Sequence, residues 1–313
     1  MSGTAWLKGA APAFDDAVLR WLAKHGFQIA ASPPEPLPTW TIPWLTAKLR
    51  RTAYRRRLLG TDTLVLPYLA GDGLLLSGLP GLRTLGVALG SDVLRRRRNW
   101  RSHERRFRRA LPRFSAVWSV SQGLADELAH SGRPPDWVAA VGVEIEGLPP
   151  VPDASPERAR IFSPRRRGAV YRQDWIRAAV SGAANWHLVQ ADEWPAARMF
   201  SEYALAEVVV SIPLTDGAPA TIMEALCMGT HVVASGGVDV RSWLARFGGT
   251  YAELAAPSEV TAVIRAGLNA ARAESPADRR RRASLARDAF SRDRLLKPLL
   301  SWLAQGVPNR SKD

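Results

Sequence analysis

The chain has 313 residues, 46% of them hydrophobic and 23% charged, which is the composition of a globular protein and excludes a disordered one. Its 43 Lys and Arg outnumber 29 Asp and Glu, and the formal net charge of +14 favours an anionic partner: nucleic acid, an anionic membrane surface or a phosphorylated substrate. The single cysteine, Cys227, excludes an internal disulfide and a cysteine metal cluster and fits a reducing compartment; its apolar neighbours predict a buried core residue.

We expect neither a leader nor a membrane span in this sequence. Its first residues lack the charged start and apolar block of a signal peptide. The most apolar window, residues 63–90, is interrupted by Asp72, Arg83, prolines and glycines. We therefore expect a cytoplasmic protein, either free in solution or attached peripherally to the inner face of the membrane.

Short apolar runs alternate with helical patterns along the first half, which is typical of an α/β fold with parallel sheets. We predict a short strand near Trp6–Lys8 and further strands at 27–32, 63–67, 84–88 and 116–120. Helices are predicted between them, at 15–25, 45–58 and 93–110.

A Pro-rich, charged stretch at 147–160 has the composition of an interdomain linker. Strands are predicted after it at 160–163, 186–190, 207–213 and 231–235, and the last part of the chain has helical patterns rich in arginine. The pattern predicts two Rossmann-like domains, 1–150 and 151–290, followed by a helix over 291–313 that packs back on the first domain.

The segment LTDGAPATIMEALCMGTHVVASGG (214–237) holds two carboxylates, Asp216 and Glu224, around the start of a predicted helix. Such acids can simply complement the helix dipole. The continuously apolar strand before the loop, however, predicts a buried parallel strand, whose carboxyl end is where α/β proteins bind ligands. Gly217 permits close backbone approach, and the amides around Ala218, Pro219, Ala220 and Thr221 can face an anion. Asp216 can then accept hydrogen bonds from sugar hydroxyls, and Glu224 can accept both hydroxyls of a ribose diol.

Residues 203–244 resemble the donor-binding segment of retaining GT-B glycosyltransferases of the group 1, or family 4, kind. Those enzymes have two acids separated by seven residues, here Asp216 and Glu224, followed by a pattern that EALCMGTHVVAS matches. The segment 85–96, with Gly90 and Asp92, is similar to a second family element. The segment 161–179 is similar to a third, whose cations hold the donor pyrophosphate; Arg167 and Arg172 fit this pair best by spacing, with Arg165 and Arg166 as close rivals.

The resemblance implies transfer of a glycosyl group from a nucleotide sugar, with retention at the anomeric carbon. Residues 1–150 would then face the acceptor, a glycan or a lipid-linked molecule, and residues 151–290 would bind the donor. Arginines would stabilise the leaving diphosphate, while Asp92 would either assist the acceptor or cap the following helix. No metal is expected, because arginines can neutralise the diphosphate and the sequence shows no His/Asp ligand cluster. No cofactor is expected, because the nucleotide sugar is a substrate.

Two departures from the family pattern favour an alternative, a glycosyltransferase-like binding module without activity. The family's Gly-Gly loop is replaced by GAAPAFDD at 9–16. A single strand, 186–190, stands where the family has two, so the C-terminal domain is expected to be shortened.

Residues 95–113 contain arginines almost without acidic partners, and apolar residues at helical spacing, so one basic helix face is predicted. This face is either simply solvated or docks on anionic lipid. The patch assigned to this role comprises Arg95, Arg96, Arg97, Arg98, Trp100 and Arg101. Nucleic-acid binding is a third, disfavoured interpretation, because no known nucleic-acid-binding motif accompanies the charge.

Overall fold

The structure is a computed structural model that describes residues 3–7, 12–27, 29–32, 61–69, 72–90, 101–152, 156–165, 169–192, 194–214, 216–237 and 239–305, with single residues 52, 54, 58 and 93. Two compact units make up the chain: Met1–Val141 together with Leu296–Asp313, and Gly142–Leu295. Each unit contains one parallel sheet flanked by helices.

The first unit contains six described strands, in the order β2-β1-β3-β4-β5-β6, and all neighbouring pairs are parallel. They are β1 Gly3–Leu7, β2 Ile29–Ser32, β3 Thr61–Leu66, β4 Arg83–Ala88, β5 Ala116–Ser119 and β6 Trp137–Val138. The strand predicted near Trp6–Lys8 is longer than expected, because β1 pairs along its length with β2 on one side and β3 on the other.

The described helices of the first unit before residue 142 are α1 Pro12–Lys24, α2 Asp72–Leu76, α3 Arg101–Ala110 and α4 Gln122–His130. Helix α1 is fixed to the sheet because the buried Trp6 indole donates to Asp15, 2.8 Å away. Ser121 caps α4 by accepting a hydrogen bond from the Leu124 amide. Most of the helix predicted at 45–58, and residues 94–100 of the helix predicted at 93–110, lie outside the described residues.

The second unit contains five strands in the order β11-β10-β9-β7-β8, again all parallel. These strands are β7 Glu157–Ser163, β8 His187–Gln190, β9 Ala206–Ser211, β10 His231–Ala234 and β11 Thr250–Tyr251. The helices that follow are α5 Gln173–Ser181, α6 Ala196–Leu205, α7 Ala220–Cys227, α8 Val240–Phe247, α9 Val260–Ala273, α10 Pro276–Phe290, α11 Arg292–Leu295 and, in the first unit, α12 Lys297–Ala304.

The prediction that residues 157–159 belong to a linker is wrong, because β7 begins at Glu157. The strand passes through a bulge at Ala159, whose φ of 59° is unusual for a residue with a side chain. The buried carboxylate of Glu207 accepts a hydrogen bond from the Ala159 amide at 2.6 Å and thereby satisfies the backbone group that the bulge removes from the sheet. A local sequence pattern does not contain this long-range contact.

The core of the second unit lies between β7, β9 and β10 and helices α5 and α9, and strand β9 is buried along its whole length. The prediction of a central buried strand before residue 214 is therefore confirmed, although β9 ends at Ser211 rather than at Pro213. Cys227 is fully buried, as expected, and burial raises the pKa of its thiol to about 12. Between α5 and α6 the described residues contain only β8, the single strand that the sequence predicts.

Candidate functional site

The order of the second sheet defines where a ligand should bind. From β7 the chain moves outward to β8, then returns to the other side of β7 to form β9, β10 and β11. The loops after β7 and β9 therefore leave the sheet in opposite directions and open a crevice at the carboxyl ends of these strands. Open α/β sheets bind their ligands at this switch point.

An ion pair spans this crevice. Arg165, two residues after β7, donates from a terminal guanidinium nitrogen to the carboxylate of Asp216, which lies in the loop after β9. The side chains are only 16% and 19% exposed, and the Arg165 guanidinium lies over the ring of Tyr171 at 5.3 Å. Burial raises the pKa of Asp216 above its usual value, although Arg165 and the Gly217 amide act in the opposite direction.

Glu224 lies one helical turn into α7, on the side of the helix that meets α6. The hydroxyl of Tyr203 donates to one of its carboxylate oxygens at 3.0 Å, and Tyr203 itself is completely buried. Burial raises the pKa of Glu224, while the Tyr203 hydrogen bond and the charges of Arg165 and Arg292 favour the ionised form. Two carboxylates with raised pKa values therefore lie within the electrostatic reach of one arginine, and perturbed carboxylates in a crevice are candidates for a functional site.

The loop after β7, the end of β9 and the first turns of α5 and α7 hold polar groups without a protein partner among the described residues. Within the described part of the chain, four buried side-chain atoms at this end of the sheet have no hydrogen-bond partner: the Nε atoms of Arg165 and Arg172, and the hydroxyls of Ser211 and Thr221. Burying such groups without a partner costs free energy, so a polar ligand bound in this crevice would be stabilised by satisfying them.

The loop after β9 is held in place by the loop after β10. Gly236 has a φ of 66°, and a Cβ atom there would collide with the carbonyl oxygen of Pro213. Only glycine therefore permits this close approach. Gly217 and Pro219 are buried, whereas Ala220 is exposed and Ala218 is half-buried, so the loop and the first turn of α7 form one side of the crevice.

The structure separates the predicted cations. Arg172 occupies the N-cap position of α5 with a φ of 51°, lies over the ring of Trp175 at 4.3 Å, and donates to the carbonyl of Leu254 at 3.3 Å. Arg165, which spacing alone ranks as a rival, is the cation that pairs with Asp216. Arg166, Arg167 and Asp92 lie outside the described residues.

The arginine-rich patch is described only at its C-terminal end. Arg95, Arg96, Arg97, Arg98 and Trp100 lie outside the described residues, as does the side chain of Arg101, which begins α3. Further along α3 the predicted amphipathic pattern is present: Phe107 is buried, whereas the arginines at positions 105, 106, 108 and 109 are exposed. In the described residues no helix is long and apolar enough to cross a membrane, and no group of three or more His, Cys, Asp or Glu could hold a metal ion.

Sequence reasoning missed two parts of this region. Tyr203 lies inside the segment that resembles the family, but it has no fixed spacing to Glu224 that would reveal their contact. A buried network also follows β7, in which Gln173 exchanges hydrogen bonds with Ser163 and accepts one from Gln190. Its only sequence signal is an amide side chain at the end of the predicted strand 186–190 and another at position 173.

No family model matches the sequence, and no curated protein matches it. Solved structures match over nearly the whole chain. Sucrose-phosphate synthase from Thermosynechococcus elongatus superposes with a TM-score of 0.77 at 12% identity, covering 97% of this chain and 99% of that one. The fold is that of the GT-B glycosyltransferases.

Two further structures with this fold resemble the chain. Anabaena HepE in complex with UDP-glucose gives a TM-score of 0.72 at 12% identity and covers 97% of this chain and 100% of its own. The lipopolysaccharide outer core galactosyltransferase WaaB gives 0.67 at 10% identity, covering 96% and 100%. The predicted fold class, two Rossmann-like domains with parallel sheets, is confirmed. At these sequence identities the similarity to solved structures establishes the fold alone.

Proposed function

We propose that this protein transfers a sugar from a nucleotide-sugar donor to a glycan or lipid-linked acceptor, with retention of the anomeric configuration. One observation carries the proposal: Arg165, Asp216 and Glu224 come together at the switch point of the second sheet, beside buried polar atoms without partners. The GT-B fold, and the UDP-glucose bound in the HepE complex, support the same substrate class.

In this proposal Arg165 binds the donor diphosphate, together with the amides of the Gly217–Thr221 segment at the start of α7. Transfer breaks the bond between the anomeric carbon and a phosphate oxygen while the acceptor oxygen bonds to that carbon from the same face, and the acceptor's proton passes to the leaving diphosphate. Negative charge develops on the leaving diphosphate, so a fixed guanidinium and oriented amides stabilise the transition state. Arg172 and Arg167 are proposed to add positive charge at the same diphosphate.

Asp216 is proposed to accept hydrogen bonds from the sugar, and Glu224 from the ribose diol. Both roles need ionised carboxylates, and Arg165 supplies the positive charge that favours ionisation of each. The carboxylate of Asp216 occupies one terminal nitrogen of Arg165. We propose that donor binding exchanges this carboxylate for a phosphate and frees Asp216 for the sugar.

The domain roles remain proposals of the same kind: residues 1–150, with Asp92, on the acceptor side, and 151–290 on the donor side. The exposed arginines of α3, together with Arg95–Arg98, which precede it in the sequence, are proposed to attach the protein to anionic lipid at the inner face of the membrane. Such attachment would place the enzyme beside a lipid-linked acceptor.

The activity is tested by incubating the protein with UDP-glucose and other nucleotide sugars and measuring release of the nucleoside diphosphate. Proton NMR of the sugar product then reports its anomeric configuration at the first detectable turnover. Release by the wild type that is lost in Arg165→Ala and slowed in Asp216→Asn supports transfer at this site. A product of inverted configuration would refute retention while leaving the transfer proposal intact.

A further inference from the structure

Glu224 accepts a hydrogen bond from a tyrosine whose side chain is otherwise packed in the core. Tyr203, on α6, is completely buried, yet its hydroxyl points at the half-buried carboxylate of Glu224 and donates to it at 3.0 Å. Of the residues that the structure describes, no other donates a hydrogen bond to this carboxylate. One carboxylate oxygen is thus bonded to protein, and the other keeps its full capacity to accept.

The ring of Tyr203 is itself fixed on several sides. Phe162 contacts it edge-on with ring centroids 5.3 Å apart, and Phe200 lies at 6.3 Å. Its backbone carbonyl accepts from the buried hydroxyl of Thr230 at 2.5 Å. A phenol held this firmly restricts the carboxylate to which it donates to a small range of orientations.

We propose that Tyr203 is a positioning residue that sets the selectivity of the site for ribonucleotides, by orienting Glu224 toward the two ribose hydroxyls. The inference rests on the proposed function and deepens it. A diol is recognised bidentately only when both carboxylate oxygens face it, and a freely rotating glutamate would lose that geometry. The Tyr203 bond uses one lone pair of one oxygen and leaves enough acceptors for both hydroxyls.

The charges around Glu224 agree with this role. Three groups act on it from the surrounding elements: Tyr203 on α6, Arg165 after β7 and Arg292 on α11. Burial raises the pKa of the carboxyl, and the phenol hydrogen bond lowers it again by favouring the carboxylate. Removing the hydroxyl should therefore raise the pKa of Glu224 further, so that ligand binding is lost at a higher pH than in the wild type.

The experiment compares ribonucleotides with their 2′-deoxy counterparts by calorimetry, using UDP, GDP and ADP against dUDP, dGDP and dADP. We expect the wild type to bind one ribonucleotide on the order of tenfold more tightly than its 2′-deoxy form, because that form leaves part of a charged acceptor unsatisfied. In Tyr203→Phe this ratio should fall to about two or three, and the acid limb of the binding profile should move to higher pH. Phe200→Leu, which loosens packing against the same ring but keeps the phenol, should leave both unchanged.

The possible outcomes distinguish failure of the proposed function from failure of the role assigned to Tyr203. If the wild type binds none of the six nucleotides, the proposed function and this inference fail together. If it binds, but Tyr203→Phe keeps both the ratio and the pH profile, the inference alone is overturned. Should Tyr203→Phe not fold, Glu224→Asp breaks the same hydrogen bond from the other side by withdrawing the carboxylate. An unchanged ratio in that variant would also overturn the proposal.

Discussion

The exchange of partners at Arg165 makes a prediction opposite to the usual effect of mutating a site residue. Asp216 occupies one terminal nitrogen of Arg165, and we propose that a diphosphate displaces it from that nitrogen. Asp216→Asn preserves shape but removes the competing charge. We therefore expect the variant to bind free nucleoside diphosphate more tightly than the wild type while transferring sugar more slowly.

The size of the effect follows from the burial of the pair, whose side chains are 16% and 19% exposed. Hydrogen bonds to charged groups contribute about 1.5–3 kcal/mol, and each 1.4 kcal/mol is a factor of ten in affinity. Displacing Asp216 should thus cost the wild type roughly one to two orders of magnitude in diphosphate affinity, which Asp216→Asn recovers. Calorimetry with UDP, GDP and ADP measures this gain.

The matched control is Asp174→Asn, which removes the same charge from an exposed position in the first turn of α5. It should leave diphosphate affinity nearly unchanged. Equal affinities in Asp216→Asn and the wild type would refute the exchange, and a loss of diphosphate affinity in Asp216→Asn would show that the carboxylate assists binding instead.

Three further predictions concern stability and surface charge. Glu224→Gln should raise Tm by a few degrees in a thermal melt at pH 7. Burial raises the pKa of the Glu224 carboxyl, so the stability that its protonated form contributes below pH 4.5 is lost as pH rises through the folded pKa. A lower Tm in the variant would contradict this reasoning. Glu274→Gln should destabilise the fold by about 3 kcal/mol at pH 7. Burial opposes ionisation of Glu274, but hydrogen bonds from His231 and Arg282 outweigh burial and lower the pKa of the carboxyl. In chemical denaturation the loss of stability should vanish as pH falls through the folded pKa of Glu274, and a loss independent of pH would contradict this. Charge reversal across Arg95–Arg98 should release the protein from sedimented vesicles containing anionic lipid, whereas persistent binding would mean that the arginines are only a solvated face.

Much of the fold can be predicted because buried parallel strands are continuous apolar runs. The strands predicted at 116–120 and 231–235 lie within one residue of β5 and β10 for this reason. The beginning of β7 escapes prediction because a bulge stabilised by Glu207, far along the chain, replaces the expected linker. Local patterns cannot contain such a partner.

The site is predicted unevenly for a related reason. Asp216 and Glu224 belong to one short strand–loop–helix segment, so sequence spacing is sufficient to place them at the crevice. The choice among the arginines depends on how the loop after β7 crosses to the loop after β9, and spacing favours Arg167 and Arg172 over Arg165. Tyr203 escapes prediction because helix packing between α6 and α7, rather than any repeat, brings its hydroxyl to Glu224.

The central claim is that a nucleotide sugar binds at the crevice between β7 and β9. Its most direct test is calorimetric titration of UDP-, GDP-, ADP- and dTDP-sugars into the wild type and into Glu224→Gln. We expect saturable binding of a ribonucleotide sugar by the wild type. Binding should be at least roughly tenfold weaker in Glu224→Gln, even though that variant is folded. Binding of none of these donors, or equal binding by both proteins, would contradict it.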